Sequence, residues 1–369
     1  MDCPVWAEVS REALRHNLRV VKEIVGPSVR VMGIVKANAY GHGLVPVAKI
    51  LEEAGVDWLG VARGQEALEL RREGVDHPIL VLGYVHPAEC PALLAQEVTL
   101  TAYSEDILRE WAGIAQREGK RLKVHFKVDT GMGRLGFKAE PAGKEAILRL
   151  AALPRVEVEG IYTHFACADL PDEKPTRDQL EKFIMLLEEL ERAGLSIPLR
   201  HAANSAALIR FRESHLDMVR PGIMLYGLLP FPSARVNLSP AMTLKARVVQ
   251  VKRVGAGFPV SYGWTYRTSR PSLLATVAAG YGDGYSRLLS NKGEVLLRGR
   301  RVPVVGRVCM DQLIVDATEL GEVEPGEEVV LFGRQGEVSL PVEELAEKIG
   351  TINYEVVCAV SARVPRVYL

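Results

Sequence analysis

Lys36 stands where an apolar run, Val29-Arg30-Val31-Met32-Gly33-Ile34-Val35, gives way to a loop of small residues, Ala37-Asn38-Ala39-Tyr40-Gly41-His42-Gly43. An amine at the end of a buried-looking strand must snorkel to water, pair with an anion, or be kept neutral, in which state it is a nucleophile. The glycines and small residues that follow let a ligand come close to the backbone. Read alone, the lysine is satisfied by snorkelling or by an ion pair. The residues with which it can meet decide what chemistry is open to it.

Tyr40 follows Lys36, and Lys127, Arg134, His164, Asn204, Ser205, Arg220 and Gly222 lie at or just beyond the ends of later apolar runs. The set is rich in cations and hydroxyls and holds neither a carboxylate pair nor a metal-ligand cluster. It suits a phosphorylated cofactor carrying an aldehyde: the lysine forms the imine, and serine and glycine donors take the phosphate. Each member also has a plainer reading. His164, in Ile161-Tyr162-Thr163-His164-Phe165, fits a hydrogen-bonded core histidine, Arg220 a structural ion pair, Ser205 a helix cap and Tyr40 simple packing. Gly131-Met132-Gly133-Arg134-Leu135-Gly136 is a literal GxGxxG, with Glu157 downstream. A dinucleotide site needs a helix to start within the glycines, whereas here Pro141 and Gly143 intervene before helical periodicity begins at Lys144.

These residues converge if the chain is a barrel. Up to about residue 228, short apolar runs alternate with helical patterns, the signature of βα units. Eight strands are expected: Val29–Ala37, Trp58–Ala62, Pro78–Gly83, Val98–Tyr103, Leu122–Thr130, Val158–Phe165, Pro198–Asn204 and Asp217–Tyr226. Between them, Ser104 opens a helix ended by Gly119, and Thr176 with Gln179 forms a capping box. Eight such units fit a (β/α)8 TIM-like barrel, whose site lies at the C-terminal ends of the strands. After Pro240 the pattern becomes short alternating strands broken by Gly and Pro. The expected division is therefore a barrel over residues 1–239, its first residues able to pair with the second domain, and a β domain over residues 240–369. The proline-bearing stretch Leu228–Ser239 links them.

The 369 residues carry 46 Lys plus Arg against 46 Asp plus Glu, so bulk charge favours neither nucleic acid nor an anionic membrane. No apolar run reaches the roughly 18 residues of a membrane span, and the amino terminus lacks the pattern of a secretory signal. Cys3, Cys90, Cys167, Cys309 and Cys358 are odd in number and widely spaced, which argues against a disulfide framework and for a reducing cytoplasm.

The segment Val35-Lys36-Ala37-Asn38-Ala39-Tyr40-Gly41-His42-Gly43 resembles the pyridoxal-phosphate attachment motif of alanine racemases. The likeness continues through Lys127-Val128-Asp129-Thr130-Gly131-Met132-Gly133-Arg134, Thr163-His164-Phe165, Ala203-Asn204-Ser205-Ala206 and Val219-Arg220-Pro221-Gly222. It extends to Val260-Ser261-Tyr262-Gly263, Gly280-Tyr281-Gly282-Asp283, Cys309-Met310-Asp311 and Tyr354. The resemblance implies a fold-type-III pyridoxal 5'-phosphate enzyme that interconverts L- and D-alanine, supplies D-alanine for the cell wall, and acts as a head-to-tail homodimer.

By that resemblance Lys36 carries the cofactor and is one catalytic base, and Tyr262 of the partner subunit is the other. Arg220 faces the pyridine nitrogen. Tyr40, His164, Asn204, Ser205, Gly222 and Tyr354 complete the cofactor site; Arg134, Met310, Asp311 and Tyr281 belong to the substrate side. Lys127 matches a lysine that is carbamylated in some members; an unmodified Lys127 paired with Asp129 or another acid is the alternative. Two bases suit racemisation, which removes a proton from one face and returns one to the other. A phenol, ordinarily protonated up to about pH 10, then needs a nearby cation, for which Arg134 and His164 are candidates. Arginine at the ring nitrogen cannot donate its proton as an acid, so the ring stays a weaker electron sink. The same scaffold also admits a racemase of larger amino acids, an amino-acid decarboxylase, or a carrier without catalysis.

Overall fold

The computed structural model describes residues 3–369, which divide into two compact units. One comprises residues 14–39 and 44–239; the other comprises the residues up to Ala13, Tyr40–Gly43 and 240–369.

The first unit is a parallel barrel of eight strands: β1 (Arg30–Ile34), β2 (Trp58–Val61), β3 (Ile79–Val81), β4 (Thr99–Ala102), β5 (Leu122–Asp129), β6 (Val156–Tyr162), β7 (Leu199–His201) and β8 (Met218–Val219). Each pairs in parallel with its sequence neighbour from β1 to β7, and β8 pairs with β1. The ring closes between β7 and β8 through Asp217 N–H donating to Arg200 O (3.0 Å) and Arg220 N–H to Ala203 O (2.9 Å). Strands β2, β3 and β4 are buried along their whole length, which is why their sequences read as unbroken apolar or small runs.

Amphipathic helices cover the sheet. Helix Glu105–Arg117 follows extended Ser104 and buries Leu108, Trp111 and Ile114; its chain reverses at Gly119, whose φ of 66° is left-handed. Helix Pro141–Ala151 begins three residues earlier than the periodicity predicted. Pro141 sits in its first turn, where no amide partner is lost, and Gly143 is required because a Cβ there would fall 2.0 Å from Lys138 O. The expected Thr176–Gln179 capping box does not form, because the helix starts at Lys174 and Gln179 is directed elsewhere. The eighth strand is also shorter than expected. Pro221 and Gly222 end it, and Ile223–Tyr226 turns into a 3-10 helix.

The second unit is built on the long strand Met242–Val254, which pairs antiparallel with Val5–Val9, Ser272–Val277 and Glu328–Gln335. Val5–Val9 pairs in parallel with Arg366–Tyr368. Alternate residues of Met242–Val248 are buried, as one covered face demands. Among the described residues no helix is long and apolar enough to cross a membrane, and no group of His, Cys, Asp or Glu could hold a metal ion.

Candidate active site

Strand β1 ends before Lys36, and the backbone then makes one left-handed turn. Ala37, Asn38, Ala39 and Tyr40 have φ of 54°, 55°, 51° and 53°. Left-handed helical geometry costs an L-residue roughly 1–2 kcal/mol, so the turn has to be held. Ala39 N–H donates to Val35 O (2.8 Å) and Leu44 N–H to Asn38 Oδ1 (2.8 Å). Ala37 N–H donates to Glu66 Oε1 (2.7 Å), while Glu66 Oε2 accepts from Ala62 N–H (2.8 Å) and Arg63 N–H (3.1 Å). One carboxylate on helix Gly64–Arg72 thus ties the loop bearing Lys36 to the end of β2. Sequence reasoning did not single out Glu66. Its only signal is an acid at the third helical position, without the Ser or Thr that marks a capping box.

Arg220, after β8, is buried and has no carboxylate within 4 Å among the described residues. Its partners are neutral acceptors. Nη1 donates to His201 Nδ1 (2.8 Å), and Nη2 lies 2.7 Å from Thr163 O, 2.9 Å from Ala202 O and 3.2 Å from His164 Nδ1. The guanidinium also lies 5.0 Å from the centre of the Tyr162 ring, whose face is negative. The structural ion pair considered for Arg220 is absent. A buried cation without a counterion repels protons from its surroundings, and burial together with Arg220 holds His164 and His201 well below the ordinary histidine range.

Lys127, on β5, has Nζ 5.1 Å from the same ring centre and donating to Val128 O (3.0 Å). Burial, then Arg220, brings its ammonium down to about 7. Asp129 does not pair with it. Its Oδ1 instead accepts the amides of Gly131 (3.0 Å), Met132 (2.9 Å) and Gly133 (3.1 Å), so the GxGxxG loop wraps the chain's own carboxylate. That loop carries exposed Arg134. Gln179 holds it in register: Nε2 donates to Thr130 Oγ1 (3.1 Å) and His164 O (3.2 Å), and Oε1 accepts from Ala166 N–H (2.9 Å). The field at His164 comes from Arg220, Lys127, Arg134 and Lys36, so all four predicted cations converge there.

At the ends of β7 and β8, Asn204 rather than Ser205 caps the following helix, accepting from Ala207 N–H (3.0 Å). Ser205 is free of that duty, and its Oγ accepts from Gly222 N–H (2.9 Å). While accepting that amide, the Ser205 hydroxyl keeps its own proton as a donor, which a phosphate site can use.

The remaining predicted residues belong to the other unit. Tyr40 is buried with its ring centre 6.0 Å from that of Tyr354, and burial raises its phenol pKa. The Tyr40–Gly43 loop is anchored there: Arg366 Nε donates to Gly41 O (2.9 Å) and the Tyr368 hydroxyl to His42 O (2.9 Å). A Cβ on Gly41 would meet Val357 O at 2.2 Å. Tyr281 N–H and Gly282 N–H donate to Cys309 O (3.0 Å) and Met310 O (2.8 Å), which locks two loops together. Arg363 bridges Asp283 (2.8 Å) and Asp311 (2.8 Å) beneath them. Tyr262, Trp264, Met310 and Tyr281 are 69%, 63%, 53% and 42% exposed. Ser261 and Trp264, which flank the Tyr262 turn, both have positive φ.

A buried arginine with only neutral partners and a cation-lined mouth fit a group that brings a phosphate and a ring nitrogen acceptor. Barrel and site together define a barrel enzyme with a second β domain and a cation-lined centre suited to pyridoxal phosphate. The family profile "Alanine racemase, N-terminal domain" matches residues 9–230, and "Alanine racemase, C-terminal domain" matches residues 241–368. An alanine racemase of Desulforamulus reducens is 51% identical, each chain covered in full, and one of Methanococcus maripaludis is 50% identical over 99% of each chain. The alanine racemase structure of Clostridium difficile superposes with a TM-score of 0.95 at 40% identity, covering 100% of this chain and 96% of that one. The chain belongs to the alanine racemase family.

The buried histidines make a measurable prediction. His125, which burial pushes down to about 3, and His164 and His201 stay neutral when folded but take up protons when unfolded below about pH 6.5. Their contribution is complete above that pH and is lost as pH falls toward the folded values. Three linked protons correspond to a slope of about 4 kcal/mol per pH unit. The denaturant midpoint is expected to fall steeply from pH 6.5 to 5, and to rise more gently above pH 7 where the unfolded chain holds a proton that Lys127 has given up; a level midpoint between pH 6.5 and 5 contradicts the assignment.

Proposed function

We propose that this chain interconverts L- and D-alanine with pyridoxal 5'-phosphate, supplying D-alanine for cell-wall synthesis. The observation that carries the reading is the convergence of the Lys36, Arg134 and Arg220 charges on His164, where Asp129, the acid that acts on Lys127, is already spent on backbone amides. Such a mouth attracts an anionic cofactor and an amino-acid carboxylate together. Bound there, pyridoxal phosphate supplies the electron-withdrawing ring that acidifies the α-proton of an attached amino acid.

Lys36 anchors the cofactor in this reading and moves the proton on one face, the left-handed turn and Glu66 fixing where its strand end stops. Ser205 and Gly222 hold the phosphate, with Asn204 keeping the local helix capped; Tyr40 and Tyr354 belong to the cofactor site. Arg220 presents its charge to the ring nitrogen and cannot protonate it as a carboxylic acid would. Arg134 and the Met310 backbone orient the substrate carboxylate, Asp311 secures that loop, and Tyr281 lines the entrance.

Tyr262 of the partner subunit moves the proton on the other face. The exposed aromatic cluster around Tyr262 supports a homodimer with shared sites, since exposed large apolar side chains of this kind suit an interface. A phenol donating and accepting near neutral pH needs cations beside it, and Arg134 is favoured over His164, which is held neutral. An odd number of widely spaced cysteines accords with a reducing cytoplasm. Lys127 is proposed to be carbamylated: its amine, brought down to about 7, is about half in the neutral form that adds carbon dioxide at that pH, and the product is an anion able to pair with Arg134. Retention of Tyr262 disfavours a decarboxylase, which needs no second base.

Three measurements check this reading. L-Alanine in heavy water is expected to yield D-alanine deuterated at the α-carbon and no gas; evolved carbon dioxide, or no exchange, contradicts it. Mixed dimers of Lys36→Ala and Tyr262→Phe chains are expected to regain activity, each pair rebuilding one intact site, whereas failure to complement rules out site sharing. With 13C-labelled bicarbonate, a carbamate resonance is expected that disappears in Lys127→Ala; its absence from the parent chain means that the lysine is unmodified.

A further inference from the structure

Behind Arg220, two histidines run into the barrel core. His201 Nε2 lies 2.8 Å from His125 Nδ1, and both rings are fully buried. Arginine has no acceptor, so His201 Nδ1, 2.8 Å from Arg220 Nη1, must be unprotonated. A neutral His201 then carries its proton on Nε2 and donates to His125 Nδ1. His125 in turn carries its proton on Nε2, an atom without a hydrogen-bond partner. Hydrogen-bond logic therefore fixes both tautomers, starting from the arginine.

The surroundings favour this arrangement. Arg220 and Lys127 are the charged groups facing the pair, and neither tolerates a third cation. The Tyr162 ring stacks on His201 at 4.8 Å and 8°, and Trp58 lies 5.2 Å from His125, so neither ring is free to turn. The place of His125 is cut to shape: a Cβ on Gly160 would lie 2.7 Å from its Cε1 and Nδ1. An orphaned buried donor is a standing cost that an apolar side chain at position 125 would avoid.

We propose that His125 is a positioning residue which, by accepting from His201, locks the tautomer that lets His201 receive Arg220 and so keeps the guanidinium an uncompensated donor aimed at the cofactor ring. Without an acceptor at 125, the Nε2–H of His201 loses its partner, so the proton can sit on Nδ1 instead, present N–H to Nη1, and push Arg220 aside. The inference rests on the reading of Arg220 given under the proposed function.

Neutron diffraction from the deuterated holoenzyme tests the lock itself. Deuterons are expected on Nε2 of His125 and of His201 and on neither Nδ1; a deuteron on His201 Nδ1, or a doubly protonated ring, overturns the proposal. His125→Leu removes the acceptor and His125→Gln restores one. The leucine variant is expected to bind pyridoxal phosphate about ten-fold more weakly, the equivalent of about 1.4 kcal/mol, and to raise the ratio of transamination to racemisation several-fold. The glutamine variant should lie near the parent in both. Equal effects of the two variants, or none from leucine, overturn the proposal. Should the leucine variant not fold, the deuteron positions decide alone. Arg220→Glu separates the two claims: if it raises the transamination ratio and His125→Leu does not, the relay fails while the reading of Arg220 stands; if Arg220→Glu has no effect, that reading fails first.

Discussion

A guanidinium buried without a carboxylate is the constraint around which the barrel mouth is built. Removing a charge from water costs several kcal/mol unless its donors are satisfied. Here two carbonyls, two imidazole nitrogens and the face of Tyr162 satisfy Arg220 without cancelling its charge. The consequences spread outward. The histidines beside it must stay neutral, Lys127 loses much of its hold on a proton, and the mouth keeps a net positive field that an anionic ligand can use.

Such a field serves the cofactor role proposed for Lys36 only if that residue stands still within it. The chain invests backbone strain for that purpose, four consecutive left-handed residues after Lys36, and offsets it with Glu66 and Asn38. Gln179 does for the Thr130 and His164 segments what Glu66 does for Lys36. Both are polar side chains on outer helices that reach into the ends of the strands, so helix packing and site geometry are coupled.

Much of this was legible in the sequence. Strands buried on both faces read as apolar runs, so all eight positions were recoverable, as was the change of period near residue 240. The residues at the strand ends were visible because a charge following an apolar run is conspicuous. What escaped notice depends on folding in three dimensions. The strand expected over Asp217–Tyr226 stopped at Val219 because Pro221 breaks the ladder and Gly222 gives its amide to Ser205. Thr176 with Gln179 matched a capping motif, but Gln179 found better partners in a distant turn. Ser205 yielded the cap to Asn204. Glu66 and His125 had no local signal, since a helix-start acid and a core histidine are ordinary until their partners are known. The left-handed turn through Ala37–Tyr40 runs against the preference of alanine and could not be read from composition.

Under the proposed function, the ε-amino group of Lys36 is the point where the cationic mouth holds its cofactor. Reduction of the holoenzyme with borohydride, followed by peptide mapping, tests this directly. A single pyridoxyl group on the peptide containing Lys36 is the expected result. Its appearance on Lys127 or any other amine, or the recovery of no labelled peptide, would contradict the account.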